Sequence, residues 1–448
     1  MVKSRLAILP PCHLAVFPSC LLAILPFPKE IQKMTASSRK FQLSPFRLLC
    51  GIGLFAIFSS TMSKSPVLPL FARDLGATES IIGLIAAAST VIGILVSIPA
   101  GALSDVFGRR KVILFATFIF ASAPFLYLPI INTWQLVLVR VYHGFATAIF
   151  GPVALALVAD LFVQQRGEKM GWYSSATLIG RSAAPFIGGF LLTLFAASAI
   201  LHYRSVYLVC GISGVLAFLI AFWLPIRQGS VADEKSSDIK ERFGQMFSGL
   251  SMVVKHRGIL FTSVAEAVQF FGYGAYEVFL PLYAKEIGMG DWLIGILLGA
   301  KVLTLTFSKP LMGKISDRYG RRGQIILGLA AGALGLGLIP FFHSFWILLL
   351  LSLLLGLSVA TVTASTAALV ADLATGTYGS ALGVMSTIMD VGHSSGPPVT
   401  GYLISVYGFR EKMRGYRFAY PIVGSLLLLM ALLFPLMVQK PVEGGEEA

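Results

Sequence analysis

Glu266 and Glu277 stand eleven residues apart in an apolar run, with Gln269, Phe270 and Tyr273 between them. Eleven residues are three helical turns, so the two carboxylates share a face. A carboxylate taken out of water binds a proton more readily. Ring faces beside a carboxylate also suit a lipophilic cation. Proton exchange and cation binding are the chemistry this stripe offers. The alternative for Glu277, four residues before Pro281, is a span-end residue in contact with water. Asp390 and His393 are three apart, hence neighbours on one helix face. They suit either a proton relay or a structural pair. Four cations also fall within apolar runs: Lys64, Arg140, Arg181 and Lys301. Each is costly in hydrocarbon and so marks a cavity or a partner. Arg181 can pair with Asp390 or with a substrate carboxylate. Lys64, in the polar turn Ser59–Ser65, can line a cavity. Lys309 lies near a span end, where it can snorkel. Together the four cations keep an organic anion open as the substrate.

The elements that position these residues are membrane spans. Hydrophobic residues make up 56% of the 448 and charged residues 12%, against about 25% charged in an average soluble protein. Mean hydropathy is +0.81. Apolar runs near the length that crosses a bilayer recur along the chain. Irregular backbone cannot face lipid, so these runs are expected to be helices. About twelve are expected, near 46–72, 80–103, 112–131, 134–161, 170–198 and 205–225, then 258–284, 292–312, 324–342, 345–371, 381–407 and 417–438. The expected architecture is an all-α polytopic membrane protein with two pseudo-symmetric six-helix bundles. The bundles run over 46–226 and 258–438. A charged linker joins them at 227–257, and tails lie at 1–45 and 439–448.

The net charge of +14 sits largely in short loops between apolar runs, as the positive-inside rule requires. That distribution argues against nucleic-acid binding. It places both termini and the linker in the cytoplasm of a cell whose cytoplasmic membrane the chain crosses. Arg410, Lys412, Arg414 and Arg417 break the pattern, because they fall on the opposite side. Cys12, Cys20, Cys50 and Cys210 show no metal-ligand spacing, and no structural disulfide is expected. No metal or cofactor is expected. Gly313-Lys314 is followed by Ile315, so there is no phosphate-binding Gly-x4-Gly-Lys-Ser/Thr loop to bind ATP. Gly392-x-Ser394-x-Gly396 lies in an apolar helix, without the strand–turn–helix setting of a hydrolase nucleophile.

The chain repeats itself at an offset of 212. Gly101-Ala102-Leu103-Ser104-Asp105-Val106-Phe107-Gly108-Arg109-Arg110 returns as Gly313-Lys314-Ile315-Ser316-Asp317-Arg318-Tyr319-Gly320-Arg321-Arg322. The same offset aligns Asp160 with Asp372, Pro185 with Pro397 and Gly189 with Gly401. Two such halves in a membrane chain point to a transporter. In each loop glycine permits a tight turn, and an Asp near a helix N-terminus is favoured by the dipole. Arg109 can pair with Asp160, and Arg321 with Asp372. Pairs of this kind bias a conformational equilibrium when they form in one state only.

With these loops in register in both halves, the chain resembles the major facilitator superfamily over residues 46–438. Gly180-Arg181-Ser182-Ala183-Ala184-Pro185-Phe186-Ile187-Gly188-Gly189 also resembles the family's antiporter motif, with Ala184 replacing a glycine. Gly392, Gly396, Pro397 and Gly401 repeat it. Generic small-residue packing around a proline kink is the alternative, over which the antiporter reading is favoured. Arg140 with Gly144 is similar to the family's Arg-x-x-x-Gly motif, which is linked to proton coupling.

The resemblance implies a secondary transporter of the drug:proton antiporter type that exports small amphipathic compounds. Its partners are a small-molecule substrate, protons and the lipid bilayer, and it is expected to work as a monomer. Arg140, Glu266, Glu277, Asp390 and His393 are the expected proton-coupling residues. Lys64, Arg181, Phe270, Tyr273 and Lys301 are the expected substrate contacts. Gly101, Asp105, Gly108, Arg109, Arg110, Asp160, Gly313, Asp317, Gly320, Arg321 and Asp372 form the expected gate. Uptake or exchange of an organic anion, or a transport-inactive sensor, are the competing expectations.

Residues 1–33 hold an eight-residue tandem repeat ending in Pro10, Pro18 and Pro26, which spoils a spanning helix. Synthesis is therefore expected to start at Met34. Mass spectrometry of the native N-terminus should find no peptide upstream of Met34, and finding one would contradict this reading.

Overall fold

The computed structural model describes residues 44–198, 200–224, 256–374 and 378–438. The expected tails and most of the linker lie outside these residues, as do the side chains of Asp105 and of residues 378–380.

Twelve helical spans appear among the described residues. α1 (Pro45–Asp74) is helical over Pro45–Met62 and Val67–Asp74, with a turn between. Then come α2 (Glu79–Phe107), α3 (Arg109–Leu126), α4 (Thr133–Leu161), α5 (Arg166–Leu194) and α6 (Leu201–Phe222). The second half holds α7 (Arg257–Glu286), α8 (Asp291–Tyr319), α9 (Arg321–Gly337), α10 (Phe345–Leu373), α11 (Tyr378–Tyr407) and α12 (Lys412–Met437). Nine of these segments meet the length and apolarity of a membrane crossing. Several outrun the expected spans. α8 continues seven residues beyond 312, to Tyr319, so the helix carries its loop motif out past the apolar run.

Local chemistry sets the ends. Asn132, the chain's single asparagine, caps α4 by accepting from the Gln135 N–H at 3.0 Å. Gly108 (φ +88°) turns α2 into α3, and Gly320 (φ +93°) turns α8 into α9. That left-handed backbone favours glycine. Pro66 interrupts α1, because a proline has no N–H to continue the ladder, and Lys64 sits in the resulting turn.

Within each half the helices pack in the same pattern: α1 on α5 and α6, α2 on α4, and α3 on α6, mirrored by α7 on α11 and α12, α8 on α10, and α9 on α12. Two seams join the halves, α2 against α11 and α5 against α8. They are images of each other at the offset of 212. A Cβ on Gly83 would lie 2.4 Å from the Pro397 carbonyl oxygen, and one on Gly295 would lie 2.6 Å from that of Pro185. A Cβ on Gly401 would lie 2.3 Å from the Glu79 carbonyl oxygen, and one on Gly189 would lie 2.7 Å from that of Asp291. Backbone meets backbone at both seams, which only a residue without a side chain allows.

Side chains seal the same end. The Ser80 and Ser405 hydroxyls are 2.9 Å apart. Arg73 meets Glu286 at 3.1 Å and His202 meets Asp291 at 3.6 Å. Among the described residues, these are the charged-group contacts that cross between halves, and Arg73–Glu286 is an ion pair. At the opposite end Gly101, Gly171, Gly313 and Gly383 have no atom within 4 Å of a Cβ position. The described bonds between the halves lie at the end of the α1–α2 turn, the closed end; the opposite end, with the Gly108 and Gly320 loops, is the open end among the described residues.

Cysteines at Ser80 and Ser405 should therefore cross-link readily under oxidation. Adding Gly295→Leu overpacks the other seam at a cost of about 1–3 kcal/mol. The cross-link should then form at least about fivefold more slowly, and an unchanged rate would contradict the seam geometry.

Candidate functional site

Halfway along the molecule, charges from both halves converge. α1 supplies Lys64 from its turn. Arg140, Arg181, Glu277 and Asp390 lie within electrostatic reach of it. Arg181 of α5 also reaches Tyr273 of α7 and Lys301 of α8. Lys301 is buried, with its ammonium 3.7 Å from the ring centre of Tyr273 and 5.1 Å from that of Tyr276. Such contacts stabilise a desolvated cation. Tyr276 is held in turn by donating to Ser352 Oγ at 2.7 Å.

Glu277 is the anionic centre. His393 Nε2 of α11 is 3.5 Å from its carboxylate, and Lys301 and Lys64 both act on it. Phe270 and Tyr273 pack around the His393 ring at 6.1 and 5.6 Å. Asp390 lies one helical turn before His393 and within reach of its charge. His393 therefore stands between two carboxylates. The structure brings together Lys64, Arg181, Phe270, Tyr273, Glu277, Lys301, Asp390 and His393.

Glu266 stands apart, and Arg140 lies behind the centre, within electrostatic reach of Lys64. Glu266 is buried within the second half and accepts from Thr366 Oγ1 at 3.0 Å, with Lys309 within electrostatic reach. The eleven residues between Glu266 and Glu277 span about 16 Å of helix. The two glutamates share a helix but not a pocket. Arg140 is buried inside the first half. It donates to Ser89 Oγ and lies by Tyr127, His143 and Lys64.

The motif loops sit at the open end. Arg109 pairs with Asp160 and donates to Ser104 Oγ at 3.0 Å. Arg321 Nε is 2.9 Å from Asp372, and its guanidinium is 3.6 Å from Asp317. Arg110 donates to the Phe222 carbonyl at 2.7 Å, tying α3 to α6. Each pair lies within one half. The antiporter-motif glycines do two jobs. Gly180 packs on the Leu54 carbonyl, Gly392 on that of Ala267 and Gly396 on that of Phe271, all within a half, while Gly189 and Gly401 form the seams. Gly188 lies against Pro66.

Sequence reasoning missed the sealing network. Glu286 binds Arg73 and also lies 3.7 Å from Lys412. Asp291 binds His202 and, at 2.7 Å, Lys285. Lys412 belongs to the basic cluster that broke the positive-inside pattern, and its charge backs a carboxylate at the closed end. No spacing signalled this, because the partners come from separate spans. Cys50 and Cys210 are free thiols.

The family model of the Major Facilitator Superfamily matches residues 49–305 and again 262–447. An uncharacterized MFS-type transporter of Methanocaldococcus jannaschii is 25% identical over 369 residues, covering 82% of this chain and 90% of that protein. The quinolone resistance protein NorA of Staphylococcus aureus is 25% identical over 357 residues, covering 79% and 88%. Among solved structures, a bacterial homolog of the human lysosomal transporter Spinster, inward-facing and unoccupied, superposes with a TM-score of 0.74. It is 15% identical and covers 90% of this chain and 98% of that one. The nucleoside transporter NupG gives a TM-score of 0.71 at 14% identity, covering 89% and 100%. The twelve-helix, two-bundle fold and the family match over both halves agree: the chain belongs to the Major Facilitator Superfamily of secondary transporters.

Proposed function

We propose that this chain exports small amphipathic compounds across the cytoplasmic membrane in exchange for protons, by alternating access. The observation that carries the reading is the Glu277–His393 pair. It lies mid-membrane, among aromatic rings and within reach of Lys64 from the other half. Gain or loss of a proton there changes the attraction between the halves, so chemistry at the centre biases the gates. The likeness to a quinolone resistance protein supports a drug-like substrate.

The open end carries the arginine-rich loops, so by the positive-inside rule it faces the cytoplasm. Substrate enters there and settles between Phe270, Tyr273 and the charged cluster. Its arrival displaces to the cytoplasm the proton held by the Glu277–His393 pair, and the seams part at the far end as the loop end closes. A proton from outside then takes the substrate's place on the pair, and the transporter resets. In this scheme the Arg109–Asp160 and Arg321–Asp372 pairs brace each half during the rocking motion.

A second reading has its own support. The centre holds Lys64, Arg181 and Lys301 against Glu277 and Asp390, with Arg140 just behind, so positive charge is in excess. That excess suits a small organic anion.

The test uses purified protein in energised, inside-out proteoliposomes with an acid-trapping dye. Adding a lipophilic cation should alkalinise the lumen, and Glu277→Gln should abolish the response while the protein still folds. Undiminished alkalinisation by Glu277→Gln would remove the carboxylate role. A response to organic anions alone would favour the second reading.

A further inference from the structure

Inside the first half, behind the central cluster, lies a group of buried polar side chains to which the cycle proposed above assigns no step. Arg140 and His143 of α4, Tyr127 at the end of α3 and Tyr207 of α6 are each at most 2% exposed. Tyr127 and Tyr207 stack at 4.3 Å with their rings 2° from parallel, and Tyr127 lies 6.1 Å from the His143 ring. The charge of Arg140 reaches both tyrosines and the histidine.

The hydrogen-bond inventory is one-sided. One Arg140 nitrogen donates to Ser89. Tyr127 lies beside the Arg140 guanidinium, but its hydroxyl and that of Tyr207, Arg140 Nε and Nη1, and both ring nitrogens of His143 have no partner with hydrogen-bond geometry within the protein. Among the described residues no carboxylate lies within ion-pair distance of Arg140. Buried polar groups are nearly always paired, and a buried charge without a counter-charge is strongly unfavourable. Water would satisfy the donors but leave the charge uncompensated.

The other half shows how the same position is handled when nothing is missing. At the offset of 212, Ser89 becomes Lys301 and Arg140 becomes Ser352, so the cation changes helix. Lys301 is covered by two tyrosine rings and has Glu277 within reach. His143, Tyr127 and Tyr207 become Leu355, Ile339 and Ala419. The polar cluster therefore belongs to the first half alone and is not a relic of duplication. Its free groups are a cation, hydroxyls and an imidazole, all able to donate, set behind the path between the halves.

We infer that this cluster binds a small monovalent inorganic anion of about halide size, as a resident counter-ion held by Arg140, Tyr127, Tyr207 and His143. The inference stands independently of the proposed substrate, because the cluster does not lie between the moving halves. With its counter-ion in place, Arg140 presents less net positive charge to Lys64 and the central site.

The experiment measures thermal unfolding of the purified protein without substrate, in sodium chloride or bromide against sodium gluconate at equal ionic strength. Halide should raise the midpoint along a saturating curve, as expected for a ligand of the folded state. Tyr207→Phe removes one donor and keeps the ring stack, so it should raise the half-saturating concentration about tenfold. Arg140→Gln should erase the halide effect. Equal midpoints in halide and gluconate would overturn the inference. So would a saturating shift that Tyr207→Phe leaves unchanged, which decides the matter even if Arg140→Gln does not fold. Bromide-soaked crystals should show anomalous density beside Arg140, and density only at other places would equally overturn it.

Discussion

Contact of helix backbone with helix backbone at two glycine-lined seams is the constraint on which the rest of this structure depends. Gly83 and Gly401 let α2 and α11 touch, and Gly295 and Gly189 let α8 and α5 touch. Without side chains between them, each pair gains close van der Waals packing, the main attraction available between helices in lipid. The contact ends abruptly. Toward the loop end the glycines Gly101 and Gly313, on the same helices, meet nothing. In the proposed cycle each half moves as a bundle, parting at these seams when the loop end closes.

The interior of the molecule contains ionisable groups that a bilayer tolerates only in company. Lys301 is stabilised by two aromatic faces, Glu277 by His393 and two lysines, and Glu266 by a threonine hydroxyl. These solutions differ in what they permit. Thr366 and Glu266 belong to one half, so their bond persists through any relative motion of the halves. Glu277 has attachments in its own half and an electrostatic link to Lys64 in the other. In the proposed cycle only the second arrangement ties protonation to conformation, so the two glutamates are unequal there although they share a helix face.

Much of this was legible in the sequence, and the reason is duplication. Two copies of the Gly108 and Gly320 loops at one offset identified the halves, the helix-ending turns and the Arg109 and Arg321 pairings with Asp160 and Asp372. Gly189 and Gly401 were marked as motif residues, but their job at the seam needed the partner helix to be seen. Spacing along one helix put Glu266 and Glu277 on one face but could not say which neighbour lies over each turn. The sealing pairs Arg73–Glu286 and His202–Asp291 were invisible, because each joins residues far apart in the chain with no repeated pattern. Lys412 was an anomaly of charge until its carboxylate appeared. Tyr127 and Tyr207 read as ordinary span aromatics, and only their stacking beside Arg140 sets them apart.

The most direct measurement of alternating access here is a pair of distance distributions by pulsed electron paramagnetic resonance in lipid. One label pair, at Thr78 and Phe409, spans the sealed end, and the other, at Phe107 and Tyr319, spans the loop end. Substrate together with a change of pH should lengthen the first distance and shorten the second in the same population of molecules. If the two distances moved independently, or neither responded, the halves would not be rocking about the glycine seams and the account would fail.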